Sequence, residues 1–180
     1  IIGAGFIGAE VAAAARTRGL GVTVLEAAAQ PMARVLGDRI GAALASLHRA
    51  HGVDLRTGVA VERIEGAERV ERVVLADGEA VPCDVVLVAV GAAPETGWLE
   101  GSGLVLDDGV LCDETMLAAP GVVAAGDLAR WPNPTFAGES MRIEHWTNAA
   151  EQGMHAAMRL LATPGTETPF ATVPFVSSDQ

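Results

Sequence analysis

The sequence has no lysine, so its 12 basic residues are all arginine, against 23 acidic ones, and the formal net charge is −11. A chain of that charge repels polyanions, which argues against nucleic acid and anionic membrane surfaces as partners. Cysteine is scarce. Cys83 and Cys112 stand far apart, match no metal or redox spacing, and read as small buried hydrophobes. No apolar run approaches the length of a membrane span; the longest covers residues 85–90. The sequence does not open on Met, and only Ile1 and Ile2 precede the first glycine motif. A strand usually runs about five or six residues, so the expectation is a fragment, or the ordered part, of a longer protein. The expected compartment is the cytoplasm.

Half of the 180 residues are hydrophobic, enough for a sizeable core in one large domain or two small ones. The abundance of Ala, Gly and Val, with arginine as the sole basic residue, is the composition of a GC-rich bacterial genome.

The opening stretch Ile1-Ile2-Gly3-Ala4-Gly5-Phe6-Ile7-Gly8-Ala9-Glu10 is a G-x-G-x-x-G loop between an apolar strand and an Ala-rich helix over 9–18. Each glycine answers a different demand. Gly3 turns the chain out of the strand, Gly5 lets a pyrophosphate approach the backbone, and Gly8 lets the helix pack closely. The helix start directs unpaired N–H groups and the positive dipole end at phosphates. A second strand over 22–26 ends in Glu26, eighteen residues beyond Gly8, where a carboxylate can accept hydrogen bonds from an adenosine ribose.

Asp38 reads as the cap of a helix reaching about Ala50, with Ile40, Leu44 and Leu47 at helical spacing. A strand over 53–56 follows. The β-α-β-α-β order predicts a parallel sheet with right-handed crossovers. Short strands over 59–64, 69–75 and 79–81, the last two joined at Asp77-Gly78, predict an antiparallel meander. Residues 84–90 are nearly all apolar, as in a strand buried on both faces. That strand ends in Gly91, which either lies beside the same dinucleotide or makes a simple turn.

A connector over 97–103 leads to a hairpin around Asp107-Asp108-Gly109. Pro120-Gly121 introduces a buried strand closing on Gly126-Asp127, where the Asp either caps a helix or binds a sugar hydroxyl. Residues 131–140 read as a loop. A helix over 149–162 has Ala150, Met154, Ala157, Met158 and Leu161 as its expected buried face. A Thr/Pro-rich linker runs to Pro174, and Phe175-Val176 begins a further element.

Taken in order, the glycine fingerprint, Leu25-Glu26, Ala89-Val90-Gly91-Ala92-Ala93-Pro94, Val123-Ala124-Ala125-Gly126-Asp127 and Glu144-His145-Trp146-Thr147-Asn148-Ala149-Ala150-Glu151-Gln152-Gly153 form a set. The set resembles the FAD-dependent pyridine-nucleotide reductases. Within them it is most similar to the NADH-dependent ferredoxin reductases of bacterial oxygenase systems, the putidaredoxin, rubredoxin and biphenyl-dioxygenase reductase type. The resemblance implies an α/β fold: a Rossmann-like NAD domain, mostly parallel sheet plus antiparallel meander, over 1–95. The C-terminal part of an FAD domain over 96–165 and the start of an interface domain over 166–180 would follow, with the FAD fingerprint upstream.

The implied cofactors are NAD and FAD, and the implied reaction passes electrons from NADH through FAD to an iron–sulfur ferredoxin or to rubredoxin. Gly3, Gly5, Phe6, Ile7 and Gly8 would seat the NADH pyrophosphate, Glu26 its adenosine ribose, and Gly91 would lie against the nucleotide. Gly126 and Asp127 would hold the flavin ribityl chain or phosphates. Trp146, with His145 and neighbouring backbone, would lie near the flavin and nicotinamide rings. Glu10 and Glu144 would position the nicotinamide carboxamide. His145 reads from the residues alone as structural or surface-exposed, and it is not nominated as a catalyst. The family's second FAD motif often carries a Thr shortly before the Gly-Asp; here Ala118 stands near that place, with Thr115 slightly earlier. Other readings within the superfamily are a disulfide reductase of the lipoamide-dehydrogenase kind, an NADH oxidase, or a redox-sensing flavoprotein similar to apoptosis-inducing factor.

Overall fold

The computed structural model describes residues 1–174 and divides the chain into two units, Ile1–Ala92 and Ala93–Gln180. Parallel and antiparallel pairing both occur, so the fold is mixed α/β as the element order predicts.

The first unit opens with Ile1 and Ile2 and enters helix α1 (Phe6–Thr17). Strand β1 (Thr23–Glu26), short helix α2 (Ala33–Leu36), helix α3 (Asp38–Ala50) and strand β2 (Asp54–Thr57) follow. β1 and β2 pair in parallel, with Val24 beside Leu55. Ile2 bridges Leu25 on one side and Val88 on the other, also in parallel.

Successive residues of a strand face opposite ways, and β1 shows it. Val24 packs with Ala12 of α1 and Ala45 of α3, whereas Leu25 packs with Val73, Leu75 and Val81. Those last three belong to the antiparallel meander β3 (Val61–Glu65), β4 (Arg72–Leu75) and β5 (Ala80–Pro82). Helices therefore cover one face of the parallel strands and the meander covers the other.

Three expectations for this unit are corrected. The N-cap of α3 is Gly37, and Asp38 is the first helical residue, where its charge still favours the helix dipole. The buried face of α3 is Gly41 and Ala45 rather than Ile40 and Leu47, which are exposed. Close approach explains this, since a Cβ on Gly41 would stand 2.6 Å from the Pro31 carbonyl oxygen. The run 84–90 lies alongside Ile2, bonded through Leu87 O and Ala89 N, but forms no extended ladder because Ile2 offers it a single bridge. Val85 and Val90 are exposed among the described residues.

The second unit begins with a 3-10 turn (Gly97–Leu99). Strand β6 (Val110–Leu111) follows the Asp107–Gly109 turn, and β7 (Leu117–Ala119) and β8 (Val122–Val123) form a hairpin about Pro120-Gly121. Strand β9 (Ala129–Asn133) pairs in parallel with β6 and antiparallel with β10 (Glu139–Met141). Helix α4 (Trp146–Leu161) completes the regular elements.

The core is Val110, Cys112, Met116, Ala124, Ala129, Trp131 and Phe170. Burial pushes the Cys112 thiol up to about 11, against weaker opposing hydrogen bonding from the Ala124 backbone.

Here the corrections are larger. The strand expected over 122–127 is only Val122–Val123. The expected loop 131–140 is a hairpin whose first strand buries Trp131 and Asn133 completely. Pro132 and Pro134 disguise it, yet the β6 ladder stops at Arg130, before Pro132 would break it.

α4 starts at Trp146 and turns inward the face opposite to that expected: Asn148, Gln152 and Ala156 are buried, while Met154, Met158 and Leu161 are exposed. The polar residues find partners there, Asn148 on the Ile143 carbonyl and Gln152 on the Gly126 amide.

The Thr/Pro-rich segment is a strap docked on the core. Trp131 Nε1 donates to Phe170 O at 3.1 Å, Asn133 Nδ2 donates to Thr172 O at 2.9 Å, and the Trp131 and Phe170 rings lie 5.5 Å apart. The element expected at Phe175-Val176 lies outside the described residues.

Candidate functional site

In the first unit the fingerprint glycines are constrained in three different ways. Gly3 has φ +97°, and a Cβ there would sit 2.4 Å from Ala89 O, in the extended run that leads to Gly91. A Cβ on Gly8 would sit 2.0 Å from Gly3 O, so α1 starts directly against the turn. A Cβ on Gly5 would meet nothing within 4 Å. The space over Gly5 is open, as a ligand approaching the backbone requires.

Gly5 is the N-cap of α1, makes no side-chain cap hydrogen bond, and no acidic residue occupies the first turn. The dipole and the first N–H groups therefore remain available to an anion. Phe6, Ile7 and Glu10 are exposed on this end of the helix, and Gly91 is exposed with φ +91°.

Glu26 closes the loop from the other side. Its Oε2 accepts from Ala4 N at 2.7 Å and its Oε1 accepts from Ala28 N at 2.7 Å. A carboxylate has about four lone-pair sites, so these two bonds orient the group and leave acceptor capacity for a ribose hydroxyl. Residues 27–29 are all Ala and supply no cation, and the nearest base in sequence is Arg34.

The second unit assembles the other predicted residues. Gly126 has φ +81°, and its N–H donates to Gln152 Oε1 at 2.8 Å. The next carbonyl, of Asp127, accepts from Arg142 at 2.9 Å, and the same arginine nitrogen pairs with Glu144 at 2.7 Å. Both sides of the Gly126-Asp127 turn are thus fixed, while the Asp127 and Trp146 side chains are exposed.

His145 is the N-cap of α4. Its Nδ1 accepts from Thr147 N at 3.3 Å and lies 2.6 Å from Thr147 Oγ1. The imidazole stacks on Trp146, with ring centroids 6.0 Å apart. Thr115 is occupied in a turn: it donates to Asp113 at 2.7 Å and accepts from Arg159 at 2.8 Å. The two clusters lie one in each unit. The sequence alone assigns no role to Arg142 or Gln152, because both act on residues 15 and 26 positions away and no local pattern marks such contacts.

Residues 1–153 match the family described as pyridine nucleotide-disulphide oxidoreductase, and the chain belongs to that family. It is 40% identical, over 183 residues, to the 5,5'-dehydrodivanillate O-demethylase ferredoxin reductase subunit of a Sphingobium strain, an alignment covering 100% of this chain and 44% of that protein. It is 38% identical to rhodocoxin reductase of Rhodococcus erythropolis, covering 100% of this chain and 42% of that one. Among solved structures it is similar to the ferredoxin reductase for the CYP199A2 system from Rhodopseudomonas palustris, with TM-score 0.81 and 39% identity over 96% of this chain and 42% of that one. The chain thus spans less than half the length of these relatives.

Proposed function

We propose that the protein passes electrons from NADH through FAD to a ferredoxin or rubredoxin that feeds an oxygenase. The observation that carries this reading is the fingerprint geometry: an open Gly5, a helix N-terminus without side-chain cap or acid, and Glu26 held on the Ala4 amide. The names of two similar proteins at 39–40% identity, both ferredoxin reductases, support the ferredoxin as acceptor.

In this reading residues 1–95 bind NAD(H), residues 96–165 form the returning part of an FAD domain, and residues 166–180 begin an interface domain. Gly3, Gly5, Phe6, Ile7 and Gly8 seat the pyrophosphate. Glu26 binds the ribose, and Gly91 flanks the nucleotide.

The residues of the second unit suit a flavin: a backbone turn fixed from both sides would offer the Asp127 carboxylate to a polyhydroxylated chain, and Trp146 would offer its exposed aromatic face. FAD, when bound, accepts a hydride and releases electrons singly. The chain's own part is to bind and orient: Glu10, Glu144 and Trp146 position the rings, and no side chain is needed to move a proton at the reacting carbon. The cytoplasm is the compartment we assign; among the described residues no helix is long and apolar enough to cross a membrane.

The test is reduction of a [2Fe–2S] ferredoxin by the full-length protein, followed by absorbance. NADH-dependent reduction is expected. Failure with every ferredoxin tried, while FAD is reduced, would return the protein to the disulfide-reductase, NADH-oxidase or redox-sensing alternatives.

A further inference from the structure

We propose that Arg142, on the connection from β10 to α4, is a positioning residue that couples the flavin-facing turn to Glu144. The inference rests on the functional reading above.

Three observations carry it. First, a single guanidinium nitrogen serves both partners, donating to Asp127 O at 2.9 Å and pairing with Glu144 Oε1 at 2.7 Å. A second nitrogen reaches Asp108 at 3.5 Å. Second, the guanidinium side is largely covered: the Arg142 side chain is 11% exposed, the lowest of the arginines in the described ion pairs, although Glu144 itself is 40% exposed. Third, the fold makes room for it. Gly109 has φ +127°, and a Cβ there would stand 3.2 Å from Arg142 Cδ.

Asp127 belongs to the connection between β8 and β9, and Glu144 to the one before α4. Nothing else in the described hydrogen bonding joins these two residues to a common group. Gln152 fixes the Gly126 amide from α4; Arg142 fixes the following carbonyl and reaches the second candidate residue. Loss of the guanidinium frees both ends at once, without removing any atom proposed to touch a cofactor.

The experiment uses the full-length protein, stripped of FAD and reconstituted. Kd for FAD is read by flavin fluorescence, and KM and kcat for NADH by ferredoxin reduction. Arg142→Met keeps the stem and removes the charge. It is expected to weaken FAD binding at least tenfold and to raise KM for NADH severalfold, with the melting temperature of the FAD-free protein within a few degrees of wild type. Arg142→Lys, whose ammonium can still meet both acceptors, is expected to recover part of both losses.

In a Glu144→Gln background Arg142→Met should raise KM no further, the signature of a shared interaction. Arg130→Met, which removes a neighbouring arginine paired with Asp107, should stay within twofold of wild type. FAD affinity and KM within twofold of wild type in Arg142→Met, or equal losses in the Met and Lys variants, overturn the proposal. If Arg142→Met does not fold, the Lys variant and the Glu144→Gln cycle with it decide. A wild-type protein that binds no FAD overturns the functional reading itself, and this inference with it.

Discussion

Gly3 and Gly5 stand two residues apart and tolerate opposite things. Gly3→Ala places a Cβ 2.4 Å from a backbone oxygen at φ +97°, so thermal unfolding should show a loss of more than about 3 kcal/mol. Gly5→Ala meets nothing, so stability should stay within about 1 kcal/mol while NADH affinity falls at least tenfold in a binding titration. A stable Gly5→Ala protein with unchanged NADH affinity would remove the pyrophosphate from this loop.

In the proposed reading Glu26 sets the choice of nucleotide. A 2′-phosphate beside this carboxylate places like charges together, at a cost of several kcal/mol, so NADH should be preferred over NADPH by tenfold or more in kcat/KM. Glu26→Gln should erase most of that ratio; equal efficiencies in the wild type would contradict the role. Cys112 is a fourth residue with a measurable signature. Its thiol is held at about 11 against an ordinary 9.0. The unfolded chain therefore releases that proton first, and the contribution to stability, full below pH 9, is lost as pH rises through about 11. Alkylation at pH 8 should leave Cys112 unlabelled until the protein is unfolded, as read by peptide mass spectrometry.

At the scale of elements, the strap over β9 is the feature to test. Phe170→Ala removes a ring packed 5.5 Å from Trp131 and 5.3 Å from His155. It should cost about 3–5 kcal/mol, seen as a lower melting transition and as new proteolytic cleavage between 163 and 169. An unchanged transition would mean that the strap adds nothing to the core. The same segment shows where sequence reading stops. The helix–strand alternation of the first unit was legible because α1, α3, β1 and β2 carry their own periods and glycine boundaries, and α3 runs over Asp38–Ala50 as its pattern predicts. Trp131 and Phe170 meet across 39 residues, and Pro132 and Pro134 hide the strand that holds Trp131. The α4 periodicity located the helix but not its inward face. That face is chosen by the Gly126 amide and the Ile143 carbonyl, partners that no local pattern reveals. In the candidate site, Glu26 and the glycines are nominated from their spacing alone; Arg142 is not, because its contacts with Asp127 and Glu144 exist only once two connections fold beside each other.

On the scale of the whole molecule, the chain is a member of the pyridine nucleotide-disulphide oxidoreductase family, and its described residues hold a dinucleotide fingerprint in one unit and a fixed Gly-Asp turn in the other. The full-length protein should carry both cofactors, and one titration tests this most directly. Its absorbance spectrum is recorded as purified, after adding FAD if needed, and then during stepwise addition of NADH without oxygen. A flavin spectrum that one equivalent of NADH bleaches is expected. No flavin spectrum even after FAD is supplied, or a flavin that NADH leaves oxidised, would contradict it and leave an NAD-binding Rossmann unit of different chemistry.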